Sequence, residues 1–276
     1  MRVFYDLRVS HARFSYFGGS AMAQKPLNLA HRGFSSKYPE NTMIAFKKAL
    51  EEGHCEGIYL NVHITADHQV VVIHDDTLER TTTGQGFVKD HTYDGLLAYD
   101  AGIKFDSQFE GEKIPLLADV LTFAKEHDLF LNIELKNCDI YYDDLERVTI
   151  RLIHEAKYAQ RVALSSFNHQ SMEKCKSIDS DIIIGYMCGC PMLRMDEYLD
   201  KGRARNFLPH YRVLYYDRVL AQTLKDSHQY QNYVWVVNDE KNMQKMIDLG
   251  ADGIITDCPD RLHLILEEIS EMEELF

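Results

Sequence analysis

A chain of 276 residues, 45% hydrophobic and 26% charged, has the make-up of a soluble globular domain rather than a disordered or collagen-like one, and its length suits a single barrel of about 250 residues. A formal net charge of −13 excludes the broad basic face with which nucleic-acid binders neutralise phosphates, so no nucleic-acid partner is expected. No run approaches the roughly 18 to 20 apolar residues of a membrane-spanning helix, and no membrane span is expected either.

Residues 1–23, "MRVFYDLRVSHARFSYFGGSAMA", set Arg2, Arg8 and Arg13 against Asp6 alone. Arginine, serine and scarce acids suit an organelle transit peptide. The alternation of Val3, Tyr5, Leu7 and Val9 suits an added strand. "GGS" followed by Met22-Ala23 suits an appended segment with a flexible linker, and this third reading fits best.

From residue 24 to 276 one domain is expected, because strand-like and helix-like stretches alternate as in a parallel sheet with crossover helices. The strand candidates are 27–32, 57–64, 70–74, 130–136, 161–166, 181–186, 204–208, 233–237 and 252–256, nine for the eight staves of a TIM-type (β/α)8 barrel. Only five residues separate the second from the third, too few for a helical crossover, so that junction is hairpin-like or irregular. "NTMIAFKKALEEG" reads as a helix that stops at Gly53, and "RLHLILEEISEMEELF" as a helix with one acidic, solvated face. Residues 76–129 are too long for an ordinary connection and are expected to make a small insertion over one mouth of the barrel after the third strand. The six cysteines, at 55, 138, 175, 188, 190 and 258, form neither a disulfide framework nor a paired zinc pattern, which suits ordinary thiols in a reducing cytoplasm.

Working residues of such barrels sit at the C-terminal ends of strands. Here those ends carry His31-Arg32, His74-Asp75 and Glu134-Leu135-Lys136, while Tyr59, Asn61 and His63 share one face of the second strand. One histidine at a strand end is more often structural, and Glu134 with Lys136 alone would suit a buried ion pair. Together they suit phosphate ester chemistry. Arginine offers a planar fork and lysine a point charge for phosphate oxygens, and two histidines with ordinary pKa near 6.5 serve as acid and base.

"AHRGFSSKYPENTMIAFKKALEEG", "VVVIHDDTLERTT", "IPLLADVL", "LNIELK", "SSF", "WVVND" and "GADGIITDCP" resemble, in order, the motifs of the glycerophosphodiester phosphodiesterase family, from about residue 27 to 262. The resemblance implies a hydrolase of glycerophosphodiesters on a TIM-type barrel, with a divalent cation, calcium or magnesium, beside two histidines. Position by position it implies His31 and His74 as the acid-base pair, Arg32 and Lys136 as phosphate contacts, Glu134 as a metal ligand, Trp235 and Phe167 in the substrate pocket, and Glu40 in support. Val236 stands where the family commonly has threonine.

One departure concerns the cation. Where the family usually reads "IELDV" this chain reads "IYLNV", so Tyr59 and Asn61 replace the other two metal ligands. A phenol is a poor ligand for a hard cation and an amide supplies oxygen without charge, so metal binding is expected to be weakened or lost. Three readings follow: a phosphodiesterase impaired at its metal; an inactive or engineered barrel that binds phosphate-like anions without metal; and a related lyase resembling sphingomyelinase D. The partner in each is a small phosphodiester or phosphate, and the oligomeric state is left open.

Overall fold

The computed structural model describes residues 25–227 and 229–274; the segment 1–23 lies outside them. Leu27–His31 (β1), Gly57–Ile64 (β2), Phe130–Leu135 (β4), Val162–Ser166 (β5), Ile183–Cys188 (β6), Asn206–Pro209 (β7), Gln231–Val234 (β8) and Gly253–Thr256 (β9) pair in the order β1-β9-β8-β7-β6-β5-β4-β2, and a β1–β2 pairing closes the ring. Every pairing in the ring is parallel. This is the TIM-type (β/α)8 barrel expected from the alternating pattern.

Strand alternation assigns the faces. In β2, Ile58, Leu60 and Val62 are buried in the large core beneath the helices, whereas Tyr59 joins Leu29, Met187, Leu208, Tyr233 and Ile255 in a separate interior cluster. Asn61 and His63 lie on the face of Tyr59, and both are wholly buried.

The remaining strand, Val70–Val72 (β3), runs antiparallel to β2 and stands outside the ring. Thr65 and Gln69 close the turn, with Thr65 N donating to Gln69 O at 2.9 Å, so five residues suffice where a parallel crossover needs a helix. β3 is shorter than the predicted 70–74: its ladder with β2 covers Val70–Val72, while on its other side Val71 bridges to Leu116 and Val72 N donates to Pro115 O. His74 therefore lies beyond an outlying, reversed strand and not at the tip of a stave.

Helices alternate with the staves: Met43–Glu51 (α1), Leu117–Glu126 (α3) after the short Tyr93–Leu96 (α2), Leu145–Ala156 (α4), His169–Ile178 (α5), Met195–Lys201 (α6), Tyr211–Tyr216 (α7), Arg218–Ser227 (α8), Glu240–Asp248 (α9) and Pro259–Glu274 (α10). Thr42 caps α1 by accepting from Ala45 N, and Pro259 opens α10, where its missing N–H costs nothing. The insertion packs on its own small core of Val71, Ile73, Leu78, Val88, Leu96, Ala101 and Ile114. It ends where α3 begins, and α3 serves as the crossover to β4.

Some boundaries differ from the predicted ones. Asp181 is held in a turn by Asp179, so β6 starts at Ile183. Trp235 lies past the ladder of β8, in an isolated bridge to His210, so β8 occupies 231–234 instead of 233–237. Among the described residues no helix is long and apolar enough to cross a membrane.

Candidate active site

β1 ends at His31, and the chain then turns through two left-handed residues, Arg32 with φ 60° and Gly33 with φ 82°. A Cβ on Gly33 would lie 2.6 Å from the Ala45 backbone, so only glycine lets this loop rest on α1. The loop returns to the mouth, where Asn41 N donates to Arg32 O at 2.9 Å and Glu40 comes beside Arg32. A cleft of about 270 Å³ is lined here by His31, Arg32, Ser35, Glu40, Asn238 and Asp257.

Each histidine has its own carboxylate. His31 Nδ1 lies 2.6 Å from Asp257 Oδ1, and Asp257 also accepts from Ser35 Oγ at 2.9 Å and Asn238 Nδ2 at 2.6 Å. His74 Nδ1 lies 2.6 Å from Asp75 Oδ1. A neutral imidazole with its Nδ1 hydrogen on a carboxylate presents Nε2 as the acceptor, and Arg32 Nε donates to His31 Nε2 at 3.2 Å.

Burial lowers the pKa of His31, against the pull of Asp257. Burial, reinforced by the charges of Arg32 and Lys136, holds His74 down at about 4 despite Asp75. Burial opposes ionisation of Asp257, but its bonds to His31, Asn238 and Ser35 prevail and keep it at about 2.

Arg80 of the insertion ties the two halves together. It donates Nε to Asp75 at 2.5 Å and two Nη groups to Glu40 at 2.7 and 2.8 Å. Glu40 also accepts from Arg32 at 2.8 Å. Arg32, expected at the phosphate, thus has one Nη on Glu40 while its Nε touches His31.

Deeper in the mouth the β2–β4 register sets Asn61 opposite Glu134. Tyr59 OH and Asn61 Nδ2 both donate to Glu134 Oε2, each at 2.5 Å, and Lys136 Nζ lies 3.4 Å from Oε1. Asn41 Nδ2 donates to Asn61 Oδ1 at 3.1 Å, which turns the amide hydrogens of Asn61 toward the acid. Burial first, then Glu134, pushes the Tyr59 hydroxyl well above its ordinary pKa.

This donor set does not fit a hard divalent cation, which asks for six or more oxygen ligands, mostly anionic. Glu134 Oε2 is covered by hydrogens, Asn61 Oδ1 is turned to Asn41, and Tyr59 keeps its proton. Among the described residues no group of three or more His, Cys, Asp and Glu side chains is gathered as a metal centre.

The aromatic residues form a second group at the tips of β5, β7 and β8. Trp235 donates Nε1 to Leu208 O at 2.7 Å and meets Phe167 and His210 edge-on, with centroids at 5.5 and 5.2 Å. Several residues of the constellation were not singled out by sequence reasoning for these roles. Asp75 and Asp257 lie inside the motifs "HDD" and "TDCP", directly after a histidine or near a strand end, which is a usable signal. Asn41 and Arg80 were visible only as members of the quoted motifs, and His63 only as part of a strand face.

The closed parallel barrel thus gathers two carboxylate-tethered histidines, an arginine and a lysine on a TIM-type frame. Residues 31–261 match the model of the glycerophosphoryl diester phosphodiesterase family, and the chain belongs to that family. It is 40% identical over 245 residues to a glycerophosphodiester phosphodiesterase of Caldanaerobacter subterraneus, covering 86% of this chain and 96% of the relative. It is 37% identical to one from Bacillus altitudinis, covering 87% and 98%. A solved Oleispira antarctica phosphodiesterase in complex with its product sn-glycerol-3-phosphate superposes with a TM-score of 0.76 at 26% identity, over 88% of this chain and 97% of that one.

Proposed function

We propose that this chain hydrolyses glycerophosphodiesters to an alcohol and glycerol phosphate, with His31 and His74 moving the protons and Arg32 and Lys136 meeting the phosphate oxygens. The tethering of both Nδ1 atoms, each at 2.6 Å from its own carboxylate, carries this reading, because it makes Nε2 the accepting atom of each ring, shared on His31 with Arg32 Nε. One Nε2 takes a proton from water as its oxygen bonds to phosphorus; the other gives a proton to the departing alcohol oxygen as the P–O bond breaks. Trp235 and Phe167 border the organic group, and Glu40 keeps Arg32 in place. The six free cysteines support residence in a reducing cytoplasm.

Turnover is expected to be slow, because the Lewis-acid contribution of a bound cation, several kcal/mol where present, corresponds to about a thousandfold in rate. The donors on Glu134 favour a second reading, an anion-binding barrel with no turnover. Glycerophosphocholine hydrolysis followed by phosphorus NMR separates the readings. Slow formation of linear glycerol phosphate, lost by roughly a hundredfold or more in His31→Ala and in His74→Ala, supports hydrolysis. A cyclic phosphate product supports the lyase, and no product from concentrated enzyme supports the binding barrel.

A further inference from the structure

We propose that in this chain the cation's place is taken by the protein's own hydrogens, and that Lys136 is the resident positive charge of a phosphate site that works without a divalent ion. The inference rests on the phosphate-site reading above and goes beyond it in assigning what neutralises Glu134.

Three elements converge on one buried carboxylate. β2 supplies Tyr59 OH and Asn61 Nδ2 to Glu134 Oε2, and the residue just past β4 supplies Lys136 Nζ to Oε1. The loop between β1 and α1 supplies Asn41, whose bond to Asn61 Oδ1 fixes which end of that amide faces the acid. Lost acids alone would leave a gap or a misdirected amide. Here each replacement donates, and a neighbour orients the second.

At Glu134 itself the charges close without an added ion. Glu134 is one negative charge and Lys136 one positive charge; Glu40 and Asp75 are paired with Arg32 and Arg80, and Asp257 is held by hydrogen bonds from His31, Ser35 and Asn238. A divalent ion on Glu134 would have to displace two hydrogen bonds from one oxygen, in a buried setting with a single carboxylate to compensate it, and desolvation makes such an excess of charge costly. Tyr59 also rests on the His31 ring, centroids 5.5 Å apart, so the cage supports one of the two imidazoles as well.

The test is binding, not turnover. Inorganic phosphate and sn-glycerol-3-phosphate are titrated by calorimetry with chelator and again with millimolar calcium or magnesium, alongside melting temperatures in the same buffers. The expected result is affinities that agree within about twofold, a melting temperature indifferent to either cation, and a roughly tenfold loss of affinity in Lys136→Met. Tyr59→Glu combined with Asn61→Asp should gain a cation-dependent melting shift. Phosphate binding that weakens about tenfold or more in chelator, or a wild-type melting point raised by calcium or magnesium, overturns the proposal while sparing the functional reading. Absence of binding in every buffer overturns both.

Discussion

Glu40 accepts hydrogen bonds from Arg32 and from both Nη groups of Arg80. Burial resists its ionisation, but the arginines prevail and hold the carboxyl at about 2, below the ordinary 4.3. A depressed carboxylate stabilises the fold above its unfolded pKa, and that contribution is lost as pH falls from about 4 through about 2. Glu40→Gln should therefore cost on the order of 2 kcal/mol at neutral pH, allowing for the partial exposure of Arg80. The melting-temperature gap to wild type should narrow steadily toward pH 2; a constant gap would show that the charge is not what the arginines hold. Sequence reading gave Glu40 only a supporting place, because its partner Arg80 lies forty positions away on an insertion without helical or strand periodicity.

At the scale of elements, the β2–β3 hairpin is what the pattern of alternating strands and helices left undecided. The composition of 57–64 and 70–74 marked two strands, but direction depends on a turn that Thr65, Asp67 and Gln69 close through side chains. The reversed strand brings the chain back down beside β2, so that Ile73 N donates to Asn61 O at 3.0 Å and His74 sits level with the polar interior. His63 secures that placement: its Nε2 lies 3.1 Å from His74 O and its Nδ1 2.9 Å from Tyr142 OH. A carbonyl only accepts, so Nε2 carries the hydrogen and Tyr142 donates to Nδ1. On the proposed function, His63 is thus a positioning residue. His63→Leu should lower kcat about tenfold with KM little changed, and His63→Gln, which keeps an N–H for the carbonyl, should recover part of it. Equal activities in the two variants would assign His63 to packing alone.

Across the whole molecule, the polar groups sit at the mouth and apolar side chains fill the barrel directly beneath them. Leu29, with Tyr233, Leu208 and Ile255, fills the interior, and Gly57 and Gly253 leave room for its side chain. Leu29→Ala should cost about 2–5 kcal/mol in denaturant unfolding and leave phosphate affinity unchanged; a parallel loss of affinity would mean that the interior packing reaches the mouth. The ring itself was legible from the alternation of strand-like and helix-like stretches, because each stave is a short, largely apolar run and that signal is local. His31, Arg32, Glu134 and Lys136 drew notice from strand-end positions and motif resemblance, whereas for His74 only the motif holds, because β3 is not a stave. The donors around Glu134 were visible as residue types, but their aim at a single oxygen is a property of register between strands seventy residues apart, which one-dimensional patterns do not carry.

Because β3 lies outside the closed ring, one of the two imidazoles is mounted on an accessory arm and the other on the frame. On the proposed reading, excising that arm would leave every stave in its ring yet take away half of the proton-handling pair, together with the share of the main core that Val70 and Val72 supply.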